Sequence, residues 1–346
     1  MKICELRNKY YSKKENIKLS ENLKQNTLLQ ASESIKSCKL SILSKDVFER
    51  NISFGKENSD NSKDMSFESF KDWSDRTAFV TRVKDIADIS GKILGSGFEG
   101  STFEIPDSDK WVIKKYNRAD IIPVSLSETE IVKVEDISPE LNIGQCIARI
   151  NIPCGKNYSS VYYILKRQTG KSYGVPFSSS DEINEVNVNI HLKSLKSLSE
   201  MPQEAFDKCI SDIAYITERN YEIDCCNPYN FLIDEDRKSI NFVDIIDRYN
   251  KESTQFGEVL FALLDGMFAI NLEKNPSFTD EKIESALYSD KIISKYLKAM
   301  KKANVAFNEG KYFNKILSSK LLDRVLNGKS TDEKLQRLKG LGLFEA

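Results

Sequence analysis

The sequence predicts an α+β protein in which a β-rich part is followed by a helical part. Between residues 92 and 166, β-branched and aromatic residues gather in short runs separated by turn residues, which is typical of strands. After Gly174, apolar residues recur every three or four positions, the pattern of packed amphipathic helices. Two short apolar runs, Asn230–Ile233 and Ile240–Ile246, flank the turn DEDRKS and predict one hairpin within the helical part.

The β-rich part is predicted to begin with a short helix or strand at Asp75–Ile89. Two strands folded about a turn at Pro106–Asp109 follow within Lys92–Lys115, and further strands are expected at Cys146–Ile152 and Val161–Lys166. Five helices are expected in the second part, at Asp181–Leu198, Glu204–Arg219, Phe256–Ile270, Asp280–Ala303 and Tyr312–Leu326.

Composition and charge exclude several classes of protein. The 346 residues include 51 basic and 52 acidic side chains, so the chain lacks the overall cationic field of a general nucleic-acid binder. No apolar run is long enough to cross a bilayer, and the charged opening does not fit a cleavable secretory signal. Seven cysteines, an odd number, accompany a single histidine, so we expect reduced thiols rather than a zinc site.

Residues 1–75 are predicted to form a flexible leader. The leader is rich in Ser, Asn and Lys, and its stretch Asn51–Asp64 is polar without apolar periodicity. Leu and Ile occur at near-helical spacing between Leu19 and Phe48, which predicts a marginal helix or one that forms on a partner.

A glycine-rich motif lies at residues 95–100. Glycines in a G-x-G-x-x-G pattern let backbone amides approach phosphate oxygens closely. A dinucleotide-binding fold would need a helix directly after the last glycine, whereas the β-type sequence STFEI follows here. The motif therefore predicts a hairpin lying over phosphates, with nucleotide contacts from Gly95, Ser96, Gly97, Phe98 and Gly100.

The strand after the glycine motif carries Trp111-Val112-Ile113-Lys114, which resembles the V-A-I-K strand of protein kinases. That resemblance implies that Lys114 neutralises nucleotide phosphates and is held by a glutamate on a helix. We expect the helix at Ser125–Val134, with Glu130 as the partner and Glu128 and Glu135 as alternates. The alternative interpretation is that Lys114 and Lys115 are a surface pair at a strand end.

A second cluster of motifs lies between Tyr221 and Asp247. Asp224 is followed by Pro228-Tyr229-Asn230, the predicted hairpin and Asp244, in an order that resembles the catalytic loop and metal-binding strand of protein kinases. The resemblance implies that Asn230 and Asp244 hold Mg²⁺ and that Asp224 orients or deprotonates the acceptor hydroxyl.

This cluster departs from the kinase pattern in several respects. Asp224 precedes Asn230 by six residues instead of five, so a strict alignment places Cys225 at the position of the base. Glu222-Ile223 replaces the usual His-Arg, and Asp244-Ile245-Ile246 replaces D-F-G. Only about a dozen residues separate Asp244 from the next apolar helix, and no A-P-E occurs, so there is no room for a long activation segment. This layout resembles the small secreted bacterial effector kinases of the OspG and NleH group.

The resemblance implies a two-lobed protein-kinase-like fold. After the leader, residues 76–170 would form the N-lobe and residues 171–346 the C-lobe, with a hinge at Val161–Arg167 in which Leu165 contacts adenine. The implied cofactors are ATP and Mg²⁺, and the implied activity is that of a Ser/Thr protein kinase that also phosphorylates itself. The implied setting is a type III effector in virulence, secreted without a cleaved signal into the host cytoplasm and otherwise cytoplasmic. Implied partners are a host protein substrate, ubiquitin or a ubiquitin-conjugating enzyme, and a secretion chaperone at the leader.

Two alternatives belong to other functional classes. One is a pseudokinase-like module that acts by binding a partner, without phosphate transfer. The other is a small-molecule phosphotransferase of the aminoglycoside or choline kinase type, which also lacks an activation segment but usually has a histidine before the catalytic aspartate. The single histidine, His191, lies on a predicted helix away from every motif, and we expect it to be a surface or satisfied residue.

Overall fold

A computed structural model describes ten stretches of the chain, which fall into two compact units. The sheet unit contains the described residues up to 133 together with those of Cys146–Leu165. The helical unit contains the described residues of Glu135–Gln145 and Lys166–Ala346. The predicted leader lies outside the described part of the chain. The described stretches are 76–96, 100–106, 108–116, 130–133, 140–153, 159–173, 183–225, 228–247, 255–308 and 313–344.

The sheet unit is built on six strands in the order β1-β2-β3-β6-β5-β4. The pairs β1–β2, β2–β3, β4–β5 and β5–β6 are antiparallel. The prediction of two strands within Lys92–Lys115 was wrong by one, because the glycine motif divides the first of them into a hairpin. The strands are β1 Ile93–Ser96, β2 Gly100–Glu104, β3 Trp111–Tyr116, β4 Glu130–Lys133, β5 Cys146–Pro153 and β6 Ser159–Lys166.

One face of this sheet is covered by the helix that precedes it in sequence. Helix α1 runs over Arg76–Asp85 and continues as a π-helical turn over Ile86–Ser90, so the helical option for this region is confirmed. Alternate side chains of the strands give the sheet an apolar face, against which the apolar side of the helix is buried. The buried residues of this cluster are Val83, Ile86, Ala87, Phe103, Ile105, Ile113, Ala148, Ile150, Tyr162 and Ile164.

The helical unit combines helices with two small sheets. One sheet has the strand order β10-β9-β7, and the other pairs β11 with β8. Its strands are β7 Lys171–Ser172, β8 Tyr221–Ile223, β9 Phe231–Asp234, β10 Ser239–Phe242 and β11 Ile245–Asp247. Its helices are α2 Glu185–Glu200, α3 Gln203–Glu218, α4 Gln255–Leu263, α5 Gly266–Lys274, α6 Thr279–Ala303, α7 Phe313–Ser318, α8 Asp323–Leu326 and α9 Thr331–Gly340.

The β9–β10 hairpin is buried among the helices of this unit. Phe231 and Phe242 lie opposite each other across the hairpin, and their rings meet edge to face with 5.4 Å between centroids. Both side chains belong to the main core, together with Phe206 on α3 and Tyr296 on α6. The buried Tyr296 hydroxyl donates a hydrogen bond to the carbonyl oxygen of Phe256, 2.8 Å away. The pair Phe231 and Phe242 lies at the open end of the hairpin, so its burial holds that end in the core. The predicted metal ligands lie next to this pair.

Three predicted elements are broken in the structure. The helix expected at Phe256–Ile270 consists of α4 and α5, with a bend of 50° at Asp265, whose left-handed φ of 44° ends a helix. The helix expected at Tyr312–Leu326 consists of α7, a 3₁₀ turn and α8, and the strand expected at Ile240–Ile246 consists of β10 and β11. Among the described helices, none alone is long and apolar enough to cross a bilayer, although the bent pair α4–α5 meets that length and composition together.

The buried titratable side chains differ in part from expectation. His191 is fully buried on α2, and its ring lies 4.6 Å from that of Phe268, so a surface position was the wrong prediction. Neither ring nitrogen forms a hydrogen bond within the described part of the chain, so the residue is not satisfied either. Burial lowers the pKa of His191 to about 3. Cys146, Cys209 and Cys225 form no disulfide, as expected.

Candidate functional site

The glycine motif forms the turn between β1 and β2. Gly95 lies opposite Thr102, and Ser96 lies opposite Ser101 with 2.9 Å between their hydroxyl oxygens. Gly100 packs against β3 so closely that a Cβ there would lie 2.3 Å from the carbonyl oxygen of Lys115, which only glycine avoids. The hairpin is thus confirmed, whereas its phosphate contacts stay a prediction. Gly97 and Phe98 lie outside the described residues.

Two adjacent lysines on β3 point to opposite faces of the sheet, because side chains alternate along a strand. Lys115 shares the face of α1, and its Nζ lies 2.6 Å from the Asp88 carboxylate. The same carboxylate accepts a hydrogen bond from the Tyr162 hydroxyl at 3.2 Å. Lys114 lies opposite Thr102 of the glycine hairpin and therefore shares that residue's face. The two lysines therefore lie in different environments, since Lys115 has an ion pair on the α1 face.

The predicted hinge, Val161–Arg167, coincides with most of β6 and ends one residue after that strand. Leu165 lies opposite Cys146 on β5 and is the last residue of the sheet unit. In the helical unit, the Lys166 backbone N–H donates to the Gln145 carbonyl oxygen at 2.8 Å. The Lys166 ammonium donates to the Leu141 carbonyl oxygen at 2.7 Å. The adenine contact of Leu165 stays a prediction.

The helical unit brings Asp224, Asn230 and Asp244 together. The side-chain Nδ2 of Asn230 donates to the backbone oxygen of Asp224 at 3.0 Å and to its Oδ2 at 3.2 Å. The backbone N–H of Asp224 donates to the carbonyl oxygen of Asp244 at 3.2 Å. Asn230 is buried, so these bonds hold its amide in one orientation. The structure therefore pairs Asn230 with Asp224 in spite of the six-residue interval, and the chemical roles of the three residues stay predictions.

Strand pairing explains why these residues meet. Asn230 directly precedes β9 and Asp244 follows β10, so the antiparallel hairpin returns the chain to its starting point. The Val243 N–H donates to the Asn230 carbonyl oxygen at 2.9 Å, which closes the base of the hairpin. Just beyond, Ile245 pairs with Ile223 as β11 joins β8 on the other side of Asp224. Two short sheets thus hold the three polar residues from both sides.

Gln255 supports this arrangement and was missed by the sequence analysis. It is the first residue of α4 and is 2% exposed. Its Oε1 accepts from the Ile223 N–H at 3.2 Å, and its Nε2 donates to the Tyr221 carbonyl oxygen at 3.0 Å. Gln255 therefore ties the helix to β8, the strand that leads into Asp224. A polar residue at the start of a helix usually indicates a helix cap. In the sequence, only the apolar residues that follow Gln255 indicate that its side chain is buried.

The comparisons with known proteins bear on the fold. No protein-family model matches the chain, and no curated protein matches it in sequence. A solved structure of the pseudokinase domain of BIR2, an immune regulator of the RLK/Pelle family, is similar with 11% identity and a TM-score of 0.32. The match covers 76% of this chain and 85% of that one. A likeness of this size concerns the fold alone.

The order of the elements is the more direct observation. A glycine hairpin, a lysine strand and further strands precede two helices, after which β8, β9, β10 and β11 surround the aspartates and the asparagine. This order of elements resembles that of protein kinases. The predicted α+β fold class, with a sheet part before a helical part, is thereby confirmed.

One kinase-like element differs from the prediction. The prediction of a helix at Ser125–Val134 is wrong for the described residues, because Glu130–Lys133 forms β4 and pairs with β5. The β-branched Ile131 and Val132 suit an edge strand once a partner strand is available. Glu130 is therefore not carried by a helix, and its side chain, like Glu128 and Glu135, lies outside what the structure describes. Its pairing with Lys114 stays a prediction.

The residues of this kinase-like unit fit a magnesium ion. Because Nδ2 of Asn230 donates to Asp224, its Oδ1 is the atom that remains to bind a cation, and Asp244 adds a carboxylate. Both are hard oxygen ligands, and magnesium takes its other ligands from phosphates and water. Within the described residues, no group of three or more His, Cys, Asp or Glu side chains could hold a metal ion.

Proposed function

We propose that this chain is an ATP- and Mg²⁺-dependent Ser/Thr protein kinase. The observation that carries the proposal is the hydrogen-bonded set of Asp224, Asn230 and Asp244 at the base of the β9–β10 hairpin. The glycine hairpin supports the proposal, and so does Lys114, which lies on the same face of the sheet as Thr102 of that hairpin. The proposal requires that Lys114 and Asp244 serve one nucleotide.

The proposed nucleotide contacts are those that the sequence predicts. Backbone amides at Gly95, Ser96 and Gly100 are suited to phosphate oxygens, since glycines allow close approach. Gly97, Phe98 and Leu165 would add contacts to phosphate and adenine. The Lys114 ammonium would neutralise α- and β-phosphate charge and so orient the γ-phosphoryl group. Asn230 and Asp244 would hold Mg²⁺, which would supply positive charge at the nucleotide phosphates.

Asp224 would act on the acceptor hydroxyl. The Asn230 amide donates to Oδ2 of Asp224, which orients the carboxylate that would accept the hydroxyl proton. The acceptor oxygen bonds to the γ-phosphorus while the bond from that phosphorus to the β–γ bridging oxygen breaks, and ADP leaves. Asp224 rather than Cys225 is proposed for this role, because Asn230 donates to Asp224.

The biological setting is also a proposal. Only residues 248–254 separate β11 from α4, which leaves no length for an activation segment of the usual kind. This short connection supports the likeness to secreted effector kinases, for which we propose a host protein substrate and a ubiquitin-charged conjugating enzyme as an activating partner. The leader would bind a secretion chaperone and direct export into the host cytoplasm.

The deciding experiment measures transfer of labelled γ-phosphate from ATP with Mg²⁺. Wild type should label its own Ser or Thr residues or an added protein, and Lys114→Ala or Asp244→Asn should lower the rate by about 100-fold or more. The matched control is Lys115→Ala, which removes the adjacent charge and should keep transfer near wild type, because the exposed pair with Asp88 contributes about 1 kcal/mol or less.

Other outcomes identify the alternatives. A pseudokinase-like module predicts no labelling from wild type or any variant, with partner binding retained. A small-molecule phosphotransferase predicts ATP consumption with amino sugars or choline but not with proteins. Equal loss in Lys114→Ala and Lys115→Ala would contradict the assignment of the phosphate-binding lysine.

A further inference from the structure

A pair of tyrosines lies beside Lys114 in the sheet unit. Tyr116 follows Lys114 by two residues on β3, so both side chains belong to the same face of the sheet. The Lys114 ammonium lies over the Tyr116 ring, with its Nζ 5.6 Å from the ring centroid. That distance is within the range of a cation–π interaction, in which the negative face of the ring attracts the cation.

The ring of Tyr116 is itself held from the neighbouring strand. Its centroid lies 5.3 Å from that of Tyr163 on β6, and the angle between the two ring planes is 54°. Aromatic pairs at this separation attract each other beyond the area that they bury. Tyr163 lies opposite Arg149 on β5, so three strands contribute to this row of side chains. The row therefore fixes the place of the Tyr116 ring.

The glycine motif leaves space for this ring. Gly100, the last glycine of the motif, lies opposite Tyr116 in the register of β2 and β3. A side chain at that position would stand beside the ring on the same face, because directly opposite residues of an antiparallel pair are close neighbours. The next pair on this face consists of Thr102 and Lys114. Tyr116 therefore connects the glycine hairpin to the lysine that the proposed function assigns to the phosphates.

The register also places the carboxylates of this sheet relative to Lys114. Glu104 on β2 shares the face of Lys114, lies diagonally from it and forms an ion pair with Lys92 at 3.2 Å. Glu130 lies on β4, and β6 and β5 separate that strand from β3. Neighbouring strands are about 4.8 Å apart, so three strand spacings, about 14 Å, lie between β3 and β4. Glu130 is therefore poorly placed to hold the Lys114 ammonium.

The opposite face of β3 shows how a carboxylate differs from a ring as a partner of lysine. The Lys115 ammonium lies 5.9 Å from the Tyr162 ring centroid, but it also forms the ion pair with Asp88. A carboxylate offsets the positive charge that a lysine presents to other anions. An aromatic ring has no net charge, so it confines an ammonium and leaves the charge available. A lysine that binds phosphates is better served by the ring.

We propose that Tyr116 is a positioning residue for Lys114, whose ammonium its ring holds on the face that carries Gly100 and Thr102. Lysine has a long side chain whose ordering costs conformational free energy, so a lysine that is already confined binds a phosphate group at a lower cost. This consequence for the nucleotide rests on the proposed function, whereas the contact between the two side chains does not. Further contacts of the ammonium are compatible with this role.

The contact is tested without nucleotide, by NMR of full-length protein in which the lysine ε-carbons are labelled with ¹³C. Protons that lie over an aromatic ring have resonances shifted upfield by its ring current. The Lys114 ε-methylene resonance is identified by its loss in Lys114→Ala. It should move downfield in Tyr116→Leu and keep its position in Tyr116→Phe, which retains the ring. The matched control is Tyr215→Leu, which removes another tyrosine beside a cation, Arg219, in the helical unit and should not move this resonance.

The consequence is tested by a double-mutant cycle on ATP affinity, measured by calorimetric titration of the full-length protein with Mg²⁺ present. Tyr116→Leu should weaken binding by about three- to tenfold, the range expected for loss of one partly exposed cation–π interaction, and Tyr116→Phe should bind like wild type. In a Lys114→Ala background, Tyr116→Leu should cause no further loss, because the ring acts through the lysine. Thermal melting of each variant checks that it is folded.

Several results would overturn the proposal. One is a Lys114 resonance that keeps its position in Tyr116→Leu. Another is an equal loss of ATP affinity from Tyr116→Leu in the wild-type and Lys114→Ala backgrounds. A loss in Tyr116→Phe as large as that in Tyr116→Leu would assign the role to the hydroxyl group and contradict the ring contact. Absence of ATP binding by wild type would refute the proposed function alone, because the resonance measures the contact without nucleotide.

Discussion

Replacing Gln255 tests how the strand before Asp224 is held. Gln255→Met keeps the side-chain volume but removes the bonds to Ile223 and Tyr221, which are both made in a buried place. Each buried group left without a partner costs about 1–3 kcal/mol, so we expect a loss of about 2–4 kcal/mol in the free energy of unfolding. That loss is a large fraction of the roughly 5–15 kcal/mol that stabilises a typical domain.

Urea unfolding followed by circular dichroism at 222 nm measures this loss, because α2 to α9 lie in the helical unit. Trp111 lies in the sheet unit, so its fluorescence would not report directly on Gln255. Gln255→Glu should give an intermediate loss, since its carboxylate accepts from Ile223 but cannot donate to Tyr221. The control is Gln336→Ala on the exposed side of α9. A Gln255→Met variant within about 0.5 kcal/mol of wild type would refute the reasoning.

Two further predictions concern single side chains of the helical unit. The folded-state pKa of His191, about 3, lies below the usual histidine value of 6.5, so between these pH values the unfolded chain binds a proton that the folded chain does not. The free energy of unfolding should therefore fall by about 1.4 kcal/mol per pH unit as the pH decreases below 6.5, and His191→Phe should remove this dependence. The measurement is the urea midpoint of each protein at pH 7.5 and at pH 5.5. An equal change of the midpoint between these pH values in wild type and His191→Phe would contradict the prediction. Ser330 caps α9 through a capping box with Glu333, so Ser330→Ala should lower stability by about 1 kcal/mol in the same assay, whereas the exposed Thr331→Ala should have little effect.

Much of the fold follows from local patterns in the sequence. Apolar periodicity predicted helices at α2, α3 and α6 with ends within a few residues, because each buries one continuous stripe. The break at Asp265 was not predicted because the apolar pattern continues through it, although Asp265-Gly266 is a dipeptide typical of turns. β4 was not predicted either, because an edge strand depends on its pairing with β5 more than on its own residues.

The candidate site was predictable where order along the chain carried the signal. Asp224, Asn230 and Asp244 were predicted because their order along the chain resembles that of protein kinases, and the hairpin between Asn230 and Asp244 explains why they meet. The separate environments of Lys114 and Lys115 were not predicted, because the Asp88 partner lies on a helix that precedes the motif. Gln255 was missed because it meets its partners only through tertiary packing.

The division of the chain into units has a consequence for recombination between related sequences. Residues 135–145 belong to the helical unit although they lie between two parts of the sheet unit. Ile143 forms a bridge with Phe242, and a Cβ on Gly144 would lie 2.7 Å from the carbonyl oxygen of Val243. A natural or engineered exchange of the sheet unit must therefore match three junctions at once, near residues 134, 145 and 165. A single crossover between residues 144 and 243 would combine Gly144 from one parent sequence with the Val243 backbone, against which it packs, from the other.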